Sequence, residues 1–313
     1  MLSVLAIVLP IFALILTGWL ARKTGALGPR AMGEINRFVV YLALPTLLFD
    51  IVANADWESL WQPGFVGAFG LSALIVFIIG LLLSRSSGRH LADAAIDGLN
   101  AAYANNGFIG IPLALAVLGP ASLIPTMISM ILTVCVIFGI AIVVVEFGLQ
   151  PKAHPGRMLL KIGGQLCRNP LLVAPMLGAV VMLLGMPVPT PVESFLKLLG
   201  GAASPCALIA LGLFLAQPRS SSQGTLQGLS SLVLLKLVAH PCIAWVLAAL
   251  VFKLPLPLQH CAVLLAALPT GTGPFMLAQY YRRPGGMTSA SILISTLLSL
   301  LTITVYLMIA LPG

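Results

Sequence analysis

Charged side chains are scarce in this chain. Lys, Arg, Asp and Glu make up 8% of its 313 residues, with only eight acidic residues, whereas roughly 25% charged residues is typical of a soluble domain. Hydrophobic residues make up 59%. Their long unbroken runs indicate an all-α, polytopic membrane protein in contact with the lipid bilayer, rather than a soluble domain or a barrel of alternating strands.

The sequence also lacks the patterns of enzymes and metal proteins. It contains no His-Glu-x-x-His, Gly-x-Ser-x-Gly or aspartate-rich diphosphate motif. Its five cysteines lie in or beside apolar runs without metal-ligand spacing, which is typical of small buried hydrophobic residues. We therefore expect no catalytic residue, no metal site and no cofactor, and we regard a membrane-embedded enzyme as the less favoured alternative.

Gly, Pro and charge divide the apolar residues into ten predicted membrane spans. At roughly 20 residues per span, the chain length accommodates this number. The predicted spans are 2–20, 34–53, 64–84, 94–118, 121–147, 158–186, 190–217, 226–252, 257–281 and 287–311.

The basic residues indicate how these spans are oriented. The net charge is +8, but the cations lie in short loops, so they act as topology signals and do not indicate nucleic-acid binding. With both termini outside the cell's inner (plasma) membrane, thirteen of the sixteen Lys and Arg fall on the inner side: Arg22, Lys23, Arg30, Arg37, Arg85, Arg89, Lys152, Arg157, Lys161, Arg168, Arg219, Arg282 and Arg283. This orientation agrees with the excess of positive charge expected inside.

An internal repeat divides the chain into two halves. Five residues of the first half have an identical or similar residue 160 positions later. Pro10, Gly18, Gly25, Arg37 and Pro45 match, in this order, Pro170, Gly178, Gly185, Lys197 and Pro205. Five spans per repeat is an odd number, so the second repeat must be inverted in the membrane. We predict a first repeat at 1–148, a short cytoplasmic connection at 149–157 and an inverted second repeat at 158–313.

The fourth and ninth predicted spans are interrupted near their centres. Asn105 lies roughly 16 Å along the fourth span from Ala94, and Pro and Gly at such a depth release backbone groups that lipid cannot satisfy. We therefore predict that the two breaks cross at the midplane and line a substrate-binding cavity. The candidate binding residues are Asn105, Asn106, Gly107, Gly110, Pro112, Pro269, Thr270, Gly271, Thr272 and Gly273.

These breaks favour an anionic ligand. The second half-helices, expected to begin after Gly110 and after Gly273, would present free N–H groups and the positive end of the helix dipole. Neither break contains Lys or Arg. Simple kinking of the helices for packing is the alternative explanation.

Lys236 is the one cation deep inside a predicted span, and His240 follows it by one helical turn on the same face. Ionisable groups in a membrane are functional candidates, so this pair could carry a proton or compensate a carboxylate. The alternative is a structural role for Lys236, bonded to carbonyl groups beside the kink at Pro241. The sequence leaves both open.

The interrupted segments resemble the motifs of one family. The run Asn105-Asn106-Gly107-Phe108-Ile109-Gly110-Ile111-Pro112 is similar to the Asn-x-Gly-Phe-x-Gly-x-Pro signature of the auxin efflux carrier family, and Leu268-Pro269-Thr270-Gly271-Thr272-Gly273 resembles its ninth-span motif. Gly273 departs from that motif, because many relatives have a polar residue, often Asn, at this position. The likeness covers nearly the whole chain.

The resemblance implies a bacterial carrier like the permeases for malonate or malate. It implies ten helices in two inverted five-helix repeats with crossing helices 4 and 9, a scaffold and a mobile domain that moves like an elevator, and a homodimer. We therefore predict a secondary active transporter of a small organic anion, with a carboxylate favoured. A sodium-coupled organic-anion symporter of the bile-acid type is the alternative, and coupling to H⁺ or to Na⁺ stays open.

Overall fold

A computed structural model describes residues 2–55, 60–150, 164, 167–217 and 226–310. Every regular element within these ranges is helical, and the one β-type contact is an isolated antiparallel bridge between Ala104 and Thr270. The prediction of an all-helical protein is therefore confirmed. The predicted connection at 149–157, from residue 151 on, and the start of the predicted sixth span lie outside the described residues.

Twelve helices account for this architecture in the described part of the chain. They are α1 (Leu2–Lys23), α2 (Ala31–Ala53), α3 (Pro63–Ser86), α4 (Leu91–Ala102), α5 (Ile111–Leu118), α6 (Pro120–Leu149), α7 (Pro170–Leu183), α8 (Thr190–Leu215), α9 (Leu226–Val251), α10 (Leu256–Ala266), α11 (Gly273–Tyr280) and α12 (Gly286–Ala310).

Six of these helices are long and apolar enough to cross a membrane: α2, α3, α6, α8, α9 and α12. The predicted fourth and ninth spans each appear as two short helices, α4 with α5 and α10 with α11. Non-helical residues interrupt them at 103–105 and 267–272. The total of ten spans and the inversion of the repeats stay predictions.

The helices pack most densely within two groups. In the first group, α1 packs against α8, and α2 packs against α7 and α8. In the second, α3 packs against α4, α4 against α6, and α9 against α3 and α10. We call these the first group and the second group.

Glycines allow the closest contacts in the first group. A Cβ atom on Gly18 of α1 would lie 2.2 Å from the carbonyl oxygen of Ile209 in α8, and one on Gly178 of α7 would lie 2.8 Å from that of Phe49 in α2. Small residues permit such close approach of membrane helices. Residues 18 and 178, like residues 49 and 209, are 160 positions apart, so equivalent positions of the sequence repeat make equivalent contacts.

The two interrupted helices are joined by an ion pair away from their breaks. Arg283, which follows α11, donates to both carboxylate oxygens of Asp93 in α4, at 2.7 and 2.5 Å. This hydrogen bonding raises the pKa of the Arg283 guanidinium above its ordinary value. Both residues fall on the inner side in the predicted topology.

Candidate functional site

The two breaks meet through their backbones. The N–H of Asn105 donates to the carbonyl oxygen of Pro269 at 2.9 Å, and the N–H of Gly271 donates to that of Tyr103 at 3.0 Å. Together with the Ala104–Thr270 bridge, these bonds form a short antiparallel ladder, which we call the crossing. Polar backbone groups inside a membrane must be satisfied by protein, and here each break satisfies part of the other.

The first break restarts its α-helix directly after Gly110, as expected, since α5 begins at Ile111. A π-type turn at Asn106–Gly110 leads into it, in which the carbonyl oxygen of Asn105 accepts from the N–H groups of both Ile109 and Gly110. Helical donors first become available near Gly107, at the crossing itself.

The second break restarts its helix at Gly273, one residue earlier than expected. No side chain caps α11 at Thr272, so the first N–H groups of this helix lack an intrahelical partner. They carry the positive end of the helix dipole, which is suited to a negatively charged ligand.

The ring of Tyr103 leaves no room for a side chain at position 273. A Cβ atom at position 273 would lie 2.4 Å from Cζ of the Tyr103 ring. The ring is 8% exposed and packs edge-on against Phe138 at 5.8 Å between centroids, so it has little room to move.

Replacing Gly273 by Ala is expected to destabilise the protein by about 1–3 kcal/mol, the usual cost of overpacking. The melting temperature in detergent should fall by several degrees, and ligand binding at the crossing should weaken. Gly201→Ala is the matched control, because a Cβ atom at Gly201 would meet no atom within 4 Å. Equal melting temperatures for the two variants would contradict this account of Tyr103.

A cavity of about 80 Å³ lies between the crossing and the first group. Six of the ten predicted binding residues line it: Asn105, Asn106, Gly107, Gly271, Thr272 and Gly273. The opposite wall comes from α2 and α8 and includes Leu48, Ser204 and Ala207. A volume of this size holds a few waters or one compact solute, well below the several hundred Å³ typical of drug-sized ligands.

Asn106 supplies a polar side chain to this cavity. Its Nδ2 donates to Oγ1 of Thr133 in α6 at 3.0 Å, while its Oδ1 is buried without a hydrogen-bond partner. Rotating the amide by half a turn exchanges these two atoms, so Asn106 can offer the cavity either an acceptor or an N–H donor. Asn105, which is half-buried, lines the same cavity.

The remaining predicted binding residues shape the crossing without lining the cavity. Thr270 is buried, and its hydroxyl donates to the carbonyl oxygen of Asn100 at 2.8 Å while its N–H donates to Ser295 Oγ at 3.1 Å. Pro269 contributes its carbonyl to the ladder, and a Cβ atom on Gly110 would lie 3.0 Å from Leu268. Pro112 lies in the first turn of α5, and its side chain is outside the described part of the structure.

Lys236 and His240 do not line the cavity either. Both are fully buried in α9, and Lys236 Nζ donates to the carbonyl oxygen of Ala266 at 2.7 Å and lies 2.9 Å from His240 Nδ1. The carbonyl contact agrees with the structural alternative.

Sequence reasoning missed the wall of the cavity that comes from outside the breaks. Tyr103 and Ser204 both line the cavity, and Thr133 holds Asn106. Tyr103 directly precedes the first break and could have been found there. No pattern in the sequence indicates that α6 and α8 contact the crossing, because these tertiary contacts join residues far apart in the chain.

Two interrupted membrane helices whose breaks cross beside a small cavity are typical of secondary transporters. The fold and the site therefore define a membrane transport protein.

Comparisons with known proteins agree with this class. The family described as "Membrane transport protein" matches residues 3–307. A protein of Rhizobium meliloti (strain 1021) named "Putative malonate transporter" is 33% identical over 309 residues, which cover 97% of this chain and 95% of the relative. "Uncharacterized transporter YfdV" of Escherichia coli (strain K12) is 24% identical, with 92% of each chain covered. "Auxin efflux carrier component 6" of Arabidopsis thaliana is 29% identical over 160 residues, 49% of this chain and 28% of the relative.

The chain therefore belongs to the membrane transport protein family that includes the auxin efflux carriers. The resemblance stated from the two interrupted motifs is confirmed, and the protein is a membrane transporter rather than an enzyme.

Proposed function

We propose that this protein is a secondary active transporter of a small carboxylate anion, and that the cavity at the crossing binds the substrate. The observation that carries the proposal is the uncapped start of α11 at a cavity lined by Asn105, Asn106 and Thr272. Helix N-termini bind anions without a buried cation. The relative named as a malonate transporter supports a compact carboxylate as substrate.

The mechanism that we propose is alternating access of elevator type. The cavity lies between the first group and the crossing, which belongs to the second group. Sliding of the second group along the first would carry the cavity from one side of the membrane to the other. The equivalent contacts of Gly18 and Gly178 support two inverted repeats, at 1–148 and 158–313. A homodimer is part of the proposal by resemblance to the family.

Malonate should raise the melting temperature of the purified protein, whereas malonamide should not. The two molecules have similar shape, but only malonate carries the charge that the helix ends favour. Malonate at about 100 times its dissociation constant should add about 2.7 kcal/mol of stability. Equal stabilisation by the diamide, or by a cationic ligand alone, would contradict an anion site.

We also propose that the protein lies in the inner (plasma) membrane with both termini outside. In a background without the five native cysteines, Ser87→Cys should react with a membrane-impermeant thiol reagent only from the cytoplasmic side, and Pro187→Cys only from outside. Both residues are exposed in the structure. Labelling of both positions from one side would contradict the ten-span topology.

A further inference from the structure

The ammonium group of Lys236 lies at the end of a broken helix. It donates to the carbonyl oxygen of Ala266, the last residue of α10, and it is fully buried. No carboxylate lies within ion-pair distance of it in the described residues. The C-terminal end of a helix carries partial negative charge, so Lys236 places an internal cation against that end.

Carriers with interrupted helices use such helix ends to hold their coupling ion. Unwound carbonyl groups and half-helix C-termini are the usual ligands of Na⁺ or H⁺ in these proteins. At the other break, the carbonyl of Asn100 near the end of α4 is met by the neutral hydroxyl of Thr270. At the end of α10, the ammonium group of Lys236 therefore occupies the place beside the Ala266 carbonyl oxygen where a metal cation would have to bind.

His240 makes this internal cation part of a titratable pair. Its Nδ1 is 2.9 Å from Lys236 Nζ, and its Nε2 is buried without a hydrogen-bond partner. Two positive charges at this distance strongly oppose each other, so the pair gains or loses one proton as a unit.

Other titratable groups on the surrounding helices have partners of their own. α9 packs against α3, α4, α10 and α12. On these helices Asp97 pairs with Arg89 and Ser84, Asp93 with Arg283, His260 with Tyr306, and Arg85 with the carbonyl of Arg89, while Cys261 is a buried thiol. The ring of Phe69 in α3 packs beside His240 at 5.8 Å. No hydrogen bond joins any of these groups to the pair in the described structure.

A second cavity, of about 400 Å³, lies beside the N-terminal part of α9 on the predicted inner side. Ser84, Arg89, Asp97 and Ser231 line it together with Leu232 of α9. Leu232 precedes Lys236 by one helical turn and packs with Val76, Ala101 and Met287. Water in the cavity can therefore reach α9 one helical turn before Lys236.

We infer that transport is coupled to protons rather than to sodium, and that the Lys236–His240 pair is the coupling site. The pair takes a proton from water on one side of the membrane and returns it to water on the other side during the transport cycle. The inference rests on the proposed function and names the coupling ion for it.

The experiment uses the full-length protein in proteoliposomes, with radiolabelled malonate as the probe. A gradient of one pH unit is worth about 1.4 kcal/mol per coupled proton, so accumulation should differ up to about tenfold between gradient and no gradient. A sodium gradient at constant pH should change nothing. Lys236→Gln and His240→Gln should both lose the response to pH, and His260→Gln, which alters a histidine bonded to Tyr306, should keep it.

Either of two transport results would overturn the inference: accumulation driven by sodium in the wild type, or a full response to the pH gradient in Lys236→Gln. If Lys236→Gln does not fold, His240→Gln decides the second point, because it retains the Lys236 contact with Ala266. A higher melting temperature of the ligand-free wild type in Na⁺ than in choline would also contradict the inference of proton coupling. Malonate binding to the wild type, measured separately by thermal shift, tests the proposed function.

Discussion

Asn105→Ala should lower the affinity for malonate by about 10- to 150-fold, because a hydrogen bond to a charged group is worth about 1.5–3 kcal/mol. The side chain lines the cavity, whereas the bond from Asn105 to Pro269 uses the backbone N–H and survives the substitution. The crossing should therefore form in the variant, with a melting temperature close to that of the wild type in the absence of ligand. Isothermal titration of the purified protein measures the change.

Asn54→Ala is the matched control for this substitution. Asn54 is exposed beyond the end of α2, and its amide donates to Asp50 in the same segment. The same chemical change there should leave malonate affinity as it is. An Asn105 variant that binds and transports malonate like the wild type would remove Asn105 from the binding site.

Ser204→Phe should nearly abolish malonate binding. Ser204 lines the wall of the cavity that α8 contributes, and a benzyl group would fill most of a volume of about 80 Å³. We expect at least a hundredfold loss of affinity, which corresponds to about 2.7 kcal/mol. The same titration measures it.

Leu198→Phe controls for adding an aromatic side chain to α8. Leu198 is 80% exposed and does not line the cavity, so this variant should bind malonate normally. If Ser204→Phe is folded and still binds malonate with wild-type affinity, the substrate occupies a different place and the proposed site is wrong.

The sequence predicted the features that local chemistry determines. Gly and Pro in the middle of an apolar segment mark a break, so both breaks could be read directly, and with them the start of α5 after Gly110 and the start of α11 to within one residue. Glu34 with Arg37 in α2 and Glu193 with Lys197 in α8 have the spacing of ion pairs within a helix, and both pairs are present.

Features that depend on tertiary packing could not be read in the same way. The sequence places Thr270 in the break, but its hydroxyl is used by the carbonyl of Asn100 and not by the cavity. Likewise, the π-type turn at Asn106–Gly110 arises because one carbonyl, that of Asn105, accepts two N–H groups. The helical period of the sequence does not indicate which carbonyl group will accept two hydrogen bonds.

The backbone ladder at the crossing has a consequence for biosynthesis. The carbonyl of Tyr103 and the N–H of Asn105 find their partners at Gly271 and Pro269, more than 160 positions later in the chain. An unsatisfied backbone group in the bilayer core costs several kcal/mol. While the ribosome is still translating the second half, the unpaired backbone groups of the first break must therefore be hydrogen-bonded by water or by the insertion machinery. They find their protein partners only after the ninth predicted span has been inserted.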